Sequence, residues 1–330
     1  MNFLRTRRDK ALARLKKLQI HLKEAHKLSK GKVCVYVTGS FGRGEASNYS
    51  DLDLFIVGKE EKNFRVLSNL DEILVKAELI KATRKLNFPE FSGDGEYLKH
   101  YTVGDLVASL GKPDDDATNT FTARLLLLLE SRPLLEEQIH KQAINSVINA
   151  YWRDFRGHES EFVPAFLVND IIRLWRTFCV NYEARTQTSS DEKRAKRKLK
   201  NYKLKHSRLI TCYSAIFYLM ATMGKKDTVT QYDAKKMVYL SPIERLEWLL
   251  GEKGFTDFSS KINEILSLYQ NFLTKTDQDE KTLVKLFLND KKSREYLREA
   301  NKLGDHVFEL LRAIGERQKP FNKIFRILNV

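Results

Sequence analysis

The sequence has 330 residues and carries 58 Lys plus Arg against 43 Asp plus Glu, a net charge of +15, with 42% hydrophobic and 11% aromatic residues. This composition is typical of a globular chain long enough for two domains, and its charge favours polyanionic partners such as nucleotides or nucleic acid. Three cysteines (Cys34, Cys179 and Cys212) are too few and too scattered for a zinc site or a disulfide framework. No apolar run approaches the length of a membrane span, so we expect a protein of the reducing cytoplasm with no membrane partner.

Residues 3–30 have the pattern of an amphipathic helix, with apolar residues recurring at helical spacing on one face. The other face is basic, since residues 1–32 contain eleven Lys or Arg and two acids. This face either guides a polyanion towards the residues that follow or is the solvated side of a helix packed beneath a sheet. The second interpretation is favoured, because charged helix faces are usually solvated.

The segment 33–57 predicts a strand, a glycine-rich turn and a returning strand. The first strand is rich in valine and stops at Gly39-Ser40, and the second opens on Asp51 and Asp53. Alternate residues of a strand project from the same face. Both carboxylates are therefore expected to point into one space, while the leucines beside them point into the core.

This arrangement suits the binding of a metal ion and a triphosphate. Adjacent carboxylates repel each other in the absence of a cation, and Mg2+ commonly takes one or two carboxylates plus substrate phosphates. The glycines of the turn, Gly39 and Gly42 among them, let backbone N–H groups approach a phosphate, while Ser40 adds a hydroxyl and Arg43 a cation. The alternatives are an ordinary hairpin with a solvated acidic start, or a calcium loop, whose spaced oxygen ligands are missing here.

Gly39-Ser40, the turn that contains Arg43-Gly44-Glu45, and Asp51-x-Asp53 together resemble the signature of the DNA polymerase β-type nucleotidyltransferase superfamily. The local sequence is similar to that of its bacterial branches, including the regulatory uridylyl- and adenylyltransferases. It most resembles the bacterial nucleotidyltransferases found among phage-defence genes. The resemblance covers about the first 130 residues, and the signature itself occupies 15.

The resemblance implies attack of an acceptor hydroxyl on the α-phosphate of a nucleoside triphosphate, with two Mg2+ ions, or Mn2+ in their place, and loss of pyrophosphate. Asp51 and Asp53 would hold both ions, and a third carboxylate on a later strand would help to take the acceptor proton. A strand is expected through residues 85–91, which favours Glu90 as this third acid. The other candidates are Asp94 and Glu96.

Helical spacing of apolar residues predicts helices over 64–77 and 118–130, the second of them rich in leucine. No convincing strand follows, so we place a domain boundary near residue 135. The sequence thus predicts an α+β fold. Residues 1–135 form a small mixed-sheet domain with an N-terminal helix, and residues 136–330 form an all-helical domain.

Charged residues in and before the leucine-rich helix need partners. Three acids at 114–116 suit a helix N-terminus, where the helix dipole favours negative charge. Arg124 and Glu130, inside so apolar a helix, are expected to be paired or to face a cleft.

The second domain contains one informative helix, residues 169–182. Its apolar residues form a stripe, while Arg173 and Arg176 lie with Asn169 on another face. These side chains would bind phosphate or a base edge from the far wall of an interdomain cleft, or they belong to an internal ion-pair network. The acids available for such a network are Asp154, Glu161 and Asp170.

The most basic segment is 193–208, with nine Lys or Arg and Tyr202 among them. It suits an oligonucleotide backbone with a stacking aromatic, or the triphosphate of the nucleotide. The alternative is a plain solvated basic face, because charge clusters alone are common.

The function predicted from these features is Mg2+-dependent transfer of a nucleoside or deoxynucleoside monophosphate to a hydroxyl acceptor. The product would be a nucleotide or oligonucleotide made in bacterial anti-phage defence, with an effector protein as a further partner. The leading alternative is a toxin-like enzyme that modifies a protein or tRNA. A nucleic-acid-binding module with an inactive site is also considered, but the presence of Ser40, Asp51 and Asp53 argues against it.

Overall fold

A computed structural model describes residues 2–62, 64–91, 98–184, 190–317 and 322–329. The chain divides into two compact units, Met1–Arg153 and Asp154–Val330. The first unit contains a small mixed sheet, and the described residues of the second form helices and their connections without a strand, which confirms the predicted α+β fold. Among the described residues, no helix combines the length and the apolar character needed to cross a membrane.

The described residues of the first unit form six strands, two of which make a separate small hairpin. They are β1 Val33–Val37, β2 Leu54–Gly58, β3 Glu60–Glu61, β4 Phe64–Arg65, β5 His100–Thr102 and β6 Arg132–Leu135. The helices around them are α1 Asn2–Ile20, α2 Lys23–Ser29, α3 Gly39–Arg43, α4 Asn69–Lys85, α5 Val103–Ala108, α6 Asp114–Ala117, α7 Thr120–Glu130 and α8 Glu137–Tyr151.

The main sheet has the strand order β5-β2-β1-β6. Strand β1 is antiparallel to β2, with Val35 opposite Ile56, so the predicted strand, turn and returning strand are confirmed. Strand β2 is parallel to β5, and β6 pairs antiparallel with β1 at the opposite edge. The sequence did not predict β6, whose Pro133 is tolerated because β6 is an edge strand.

The two faces of the main sheet are covered by different helices. On one face, the valines of β1 and Leu54 and Ile56 of β2 pack with apolar residues of α1, α2 and α4 in one buried cluster. On the other face, the Tyr36 ring stacks on Phe55 with centroids 5.6 Å apart and contacts His140 of α8. Because α8 packs on this face, it belongs to the first unit, and the division after Arg153 falls later than the boundary we expected near residue 135.

The strand predicted over residues 85–91 is wrong. Helix α4 continues to Lys85, and the chain then turns with Asn87 in the left-handed conformation at φ 53°. The amide of Phe88 donates to the Thr83 carbonyl at 3.0 Å, and the amide of Asn87 donates to the Arg84 carbonyl at 3.1 Å. This is a Schellman motif, which satisfies the last carbonyls of the helix and leaves no extended segment.

The second unit is built on α10, a helix of 36 residues that packs against α9, α12, α14 and α15. Its helices are α9 Ala165–Ala184, α10 Asp191–Lys226, α11 Gln231–Tyr239, α12 Pro242–Gly251, α13 Ser259–Lys275, α14 Glu280–Leu288, α15 Asp290–Glu316 and α16 Lys323–Asn329. The predicted absence of strands holds for the described residues of this unit.

Tyr202 belongs to the core of the second unit. Its side chain is fully buried, and its ring contacts those of Phe272, Phe287 and Tyr296 at centroid distances of 5.1 to 5.7 Å. The prediction that Tyr202 stacks on a bound base is therefore wrong, because no part of the ring is accessible. It lies on the apolar side of α10, opposite the row of exposed lysines described below.

Candidate functional site

The glycine-rich turn between β1 and β2 folds as the short helix α3. The amide of Thr38 donates to the backbone carbonyl of Asp53 at 2.9 Å, which ties the end of β1 to the residue that precedes β2. Gly39 has a left-handed φ of 62°, and a Cβ at this position would overlap Oδ2 of Asp53. Only glycine lets the turn begin this close to the carboxylate.

Gly42 is required for a different reason. It lies against the backbone carbonyl of Glu130, where a Cβ would collide, and its own amide donates to the Thr38 carbonyl at 3.0 Å. The structure therefore places Gly42 on the buried side of the turn, in contact with α7. This position gives it a packing role rather than a direct approach to a ligand.

Ser40 is the member of the turn that is open to a ligand. Its side chain is half-buried, and its hydroxyl makes no hydrogen bond within the described part of the chain. In the same described part, the amides of Ser40 and Phe41 donate to no acceptor, while the Ser40 carbonyl accepts from Glu45 N at 2.7 Å. Because Phe41 is fully buried, the groups available to an anionic group such as a phosphate are the hydroxyl and the amide of Ser40.

Asp51 and Asp53 lie in the extended segment immediately before β2. Leu52 between them is 2% exposed and so is Leu54 after them, whereas Asp51 is exposed and Asp53 is half-buried. This alternation confirms that the two carboxylates and the leucines project from opposite sides of the segment. Asp51 has no hydrogen-bond or ion-pair partner among the described side chains.

The predicted third carboxylate, Glu90, is not on a strand beside this pair. Glu90 follows the end of α4 instead of lying on a strand, its side chain is 86% exposed, and it is 3.8 Å from Arg84. Asp94 and Glu96 lie outside the described residues. Within those that are described, no three His, Cys, Asp or Glu side chains are grouped so that they could hold a metal ion.

Arg43 lies inside the turn. The side chain is 6% exposed, its Nε donates to Glu45 Oε2 at 2.7 Å, and its guanidinium also donates to Glu130 Oε2 at 2.9 Å. The other oxygen of Glu130 accepts from the amide of Gly39 at 2.9 Å. Two buried carboxylates therefore bind a guanidinium that the sequence assigned to a nucleotide.

The contact of Glu130 with the turn was not predicted. The sequence indicated only that an acid in a leucine-rich helix needs a partner, which the pairing with Arg43 now supplies. Arg124, the other charged residue of this helix, also has the partner that the sequence indicated it needs. It donates to Asp115 at 3.0 Å and to the Tyr151 hydroxyl at 3.1 Å. Burial opposes the charge of Arg124, but its hydrogen bonds to Asp115 and Tyr151 and their charges outweigh this effect, and the pKa of Arg124 is raised.

Arginines of α1 hold the loop that follows the turn. The Nε of Arg7 donates to the Glu45 carbonyl at 2.6 Å, and Arg14 donates to the Ser47 carbonyl. Arg14 also lies over the rings of Phe41 and Phe88, with its guanidinium carbon 5.0 and 4.6 Å from their centroids. These cations stabilise the loop, a role that neither interpretation of the basic N-terminal helix included.

Arg173 and Arg176 lie on α9, in the second unit. Arg176 is exposed. Arg173 is 38% exposed, and its guanidinium is 3.8 Å from Asp170, whose side chain is buried. Of the two interpretations offered by the sequence, this contact favours an internal ion pair for Arg173.

Residues 18–87 match the family model of the nucleotidyltransferase domain. The match runs from the end of α1 to just past the end of α4, and it includes the Gly39-Ser40 turn together with Asp51 and Asp53. It does not extend to Glu130 or to the second unit. A comparison with curated proteins found no match.

Proposed function

We propose that this chain is a nucleotidyltransferase that moves a nucleoside monophosphate from a nucleoside triphosphate to a hydroxyl group. The observation that carries the proposal is the contact between Gly39 and the Asp53 carboxylate, inside the segment that matches a nucleotidyltransferase domain. The acceptor oxygen bonds to the α-phosphorus, the bond from that phosphorus to the bridging oxygen breaks, and pyrophosphate leaves. The acceptor hydroxyl loses its proton.

Two sets of groups would act on the triphosphate, namely the hydrogen-bond donors of the turn and the carboxylates that precede β2. The Ser40 hydroxyl and the Ser40 amide would bind phosphate oxygens by hydrogen bonding. Asp51 and Asp53 would hold divalent cations, for which two Mg2+ or Mn2+ ions are proposed because hard cations prefer carboxylate and phosphate oxygens. When bound, such ions neutralise the charge of the triphosphate and activate the acceptor hydroxyl.

The remaining predicted residues have weaker or different support. Arg43 is assigned to holding the turn, since Glu45 and Glu130 bind its guanidinium. Arg176 is exposed and remains a candidate for the nucleotide, whereas Arg173 is close to Asp170. The third acid stays a proposal among three candidates. They are Glu90, Asp94 and Glu96.

The proposed product is a nucleotide or oligonucleotide, made in bacterial anti-phage defence, and the basic surface of α10 supports a polyanionic product or acceptor. Lys193, Lys196, Lys200 and Lys203 follow one another at helical spacing and are all exposed. We call these four residues the α10 lysine row. No acid occurs between Lys193 and Arg208, and within α10 the row meets an acid at its start, where Lys196 lies 3.3 Å from Glu192. The same row would serve a tRNA acceptor, so a toxin-like enzyme is the second candidate.

The test is incubation of the purified protein with each of the eight α-labelled ribo- and deoxyribonucleoside triphosphates and Mg2+, beside a variant with Asp51→Asn and Asp53→Asn. Label in a free nucleotide or a ladder, absent from the variant, supports the proposed product. Label on added tRNA or on protein supports the toxin-like enzyme. Absence of label under all conditions, with tRNA and protein present, contradicts the proposed activity and favours an inactive binding module.

A further inference from the structure

We infer that Glu130 is a positioning residue for nucleotide transfer, which holds the Gly39–Arg43 turn in the place where Ser40 meets the substrate. This inference rests on the proposed function. Glu130 is the last residue of α7, in a helix whose neighbouring side chains are leucines packed in the core. Its own side chain has no exposed surface, and both of its carboxylate oxygens are directed to the turn.

One carboxylate binds both ends of α3. Oε1 accepts from the Gly39 amide, the first residue of the helix, and Oε2 accepts from Arg43, the last, each at 2.9 Å. The backbone carbonyl of Glu130 also lies where a Cβ of Gly42 would be. Three of the five residues of this short helix therefore contact Glu130, whereas Ser40 faces away with its hydroxyl available.

Charge makes these contacts strong. Hydrogen bonds between a guanidinium and carboxylates are about twice as strong as neutral ones, and burial excludes competing water. Glu45 provides the second carboxylate for Arg43, and the carbonyl of Glu45 accepts from Arg7. The turn is thereby connected to α7 on one side and to α1 on the other by a continuous set of buried polar contacts.

The position of Gly39 connects Glu130 to the proposed metal ligands. The Gly39 amide is occupied by Glu130, so it is not among the donors left for a phosphate, but the Gly39 Cα lies against Asp53. A shift of this amide would change the distance between the phosphate-binding hydroxyl and the carboxylate. Displacements of about 1 Å in an active site can cost about 100-fold in rate.

The experiment compares Glu130→Gln and Glu130→Ala with wild type, and uses Glu137→Gln as the control, since Glu137 is exposed and forms only a surface pair with Lys141. The readouts are hydrogen exchange of the amides in residues 38–45, the melting temperature, and kcat and KM for the nucleoside triphosphate. The Gln variant keeps an acceptor for Gly39 and loses the charge that binds Arg43. The Ala variant loses both.

We expect exchange in residues 38–45 to be about tenfold faster in the Ala variant, with kcat/KM reduced about 100-fold and most of the loss in kcat. Values of both quantities in the Gln variant that lie between those of the Ala variant and wild type, at an unchanged melting temperature, separate positioning from a general loss of stability. If the Ala variant does not fold, the Gln variant alone decides through the same two readouts.

Exchange and kinetics equal to wild type in a folded Glu130→Ala or Glu130→Gln protein would overturn the inference. So would a loss of activity that follows the melting temperature without faster exchange in the turn. If wild type transfers no nucleotide, the proposed function fails, and the exchange measurement still tests whether Glu130 holds the turn. The two failures are therefore distinguishable.

Discussion

Oδ2 of Asp53 occupies the space that a Cβ on residue 39 would need. The two residues belong to different halves of the signature, since Gly39 begins α3 after the first strand and Asp53 precedes the second strand. Their contact places the turn that is proposed to bind phosphate directly beside one of the proposed metal ligands.

Replacement of Gly39 by alanine should therefore abolish activity more completely than it lowers stability. The left-handed φ of 62° costs about 1 kcal/mol for a residue with a Cβ, and the new methyl group displaces the Asp53 carboxylate. We expect kcat/KM to fall at least 100-fold while the melting temperature falls by a few degrees. The control is Gly157→Ala, where φ is 90° but no atom lies within 4 Å of the added Cβ. Activity close to wild type in the Gly39 variant would show that the contact is not needed.

Asp51→Asn and Asp53→Asn should each remove transfer while leaving the fold intact. The amide keeps the size of the side chain but removes the negative charge that a divalent cation requires. We expect a loss of at least about 1,000-fold in kcat, with partial recovery at high Mn2+ for the exposed Asp51 only. Asp9→Asn, an exposed acid of α1, is the matched control. A fully active Asp53 variant would remove the basis of the metal assignment.

Neutralising the α10 lysine row should weaken binding of single-stranded RNA or DNA by a purely electrostatic route. Each phosphate contact adds about 0.7 to the slope of log affinity against log salt for a single strand, so the quadruple Lys→Gln variant should lower the slope by about 3. Fluorescence anisotropy with a labelled 20-nucleotide strand at several salt concentrations measures this. The control neutralises four exposed lysines elsewhere in the chain. They are Lys112, Lys236, Lys253 and Lys281.

Equal slopes for the two quadruple variants would make the α10 lysine row an ordinary solvated surface. A smaller affinity with an unchanged slope would indicate an indirect effect on the fold. Binding is measured without turnover, so this result does not depend on whether the transferase activity is found.

Acidification should destabilise the second unit through His206. This side chain is buried, with its ring stacked on Phe272 at a centroid distance of 4.3 Å, and burial lowers its pKa to about 4. In the unfolded chain a histidine has a pKa of about 6.5. Between these two values the unfolded state binds more protons than the folded state, so the free energy of unfolding decreases as the pH falls through this window.

The measurement is urea unfolding of wild type and His206→Phe between pH 7 and pH 4. The loss attributable to His206 is on the order of 3 kcal/mol at most, and it should be absent in the Phe variant. His140 in the first unit, whose pKa burial also lowers to about 4, adds a loss of the same sign in both proteins. His158→Gln changes an exposed histidine and is the control. Identical pH dependence in wild type and His206→Phe would contradict the prediction.

The sequence predicted those parts of the fold that depend on neighbours along the chain. Strands β1 and β2 and the turn between them followed from alternation and glycine, and the helices of the second unit from their periodicity. Strand β6 was missed because its stability comes from pairing with β1, about 100 residues earlier. The strand predicted around Glu90 was wrong because aromatic residues suggested an extended segment, whereas Asn87 ends α4 in a helix cap.

The candidate site likewise contains residues predicted from their sequence neighbours and residues whose partners lie far away in the chain. Ser40 and the Asp51–Asp53 pair were predicted from residue type and spacing, because these residues lie close together in the sequence, and their role in phosphate and metal binding stays a prediction. The role of Glu130 could not be identified, since it contacts Gly39 across 91 positions of the chain. Arg43 was assigned to the substrate as a cation in the predicted phosphate-binding turn, and its pairing with Glu130 depends on the position of α7, which the sequence did not reveal.

The hydrogen bond from the Thr38 amide to the Asp53 carbonyl extends the β1–β2 ladder by one rung beyond the strands themselves. The backbone on which the proposed ligands are carried is therefore fixed by the sheet before any substrate arrives. A nucleotide that binds here pays little conformational entropy for ordering the turn, and its binding energy remains for orienting the triphosphate. Breaking the Thr38–Asp53 hydrogen bond would require the paired strands β1 and β2 to separate at this end. The candidate site should therefore remain formed for as long as the sheet does.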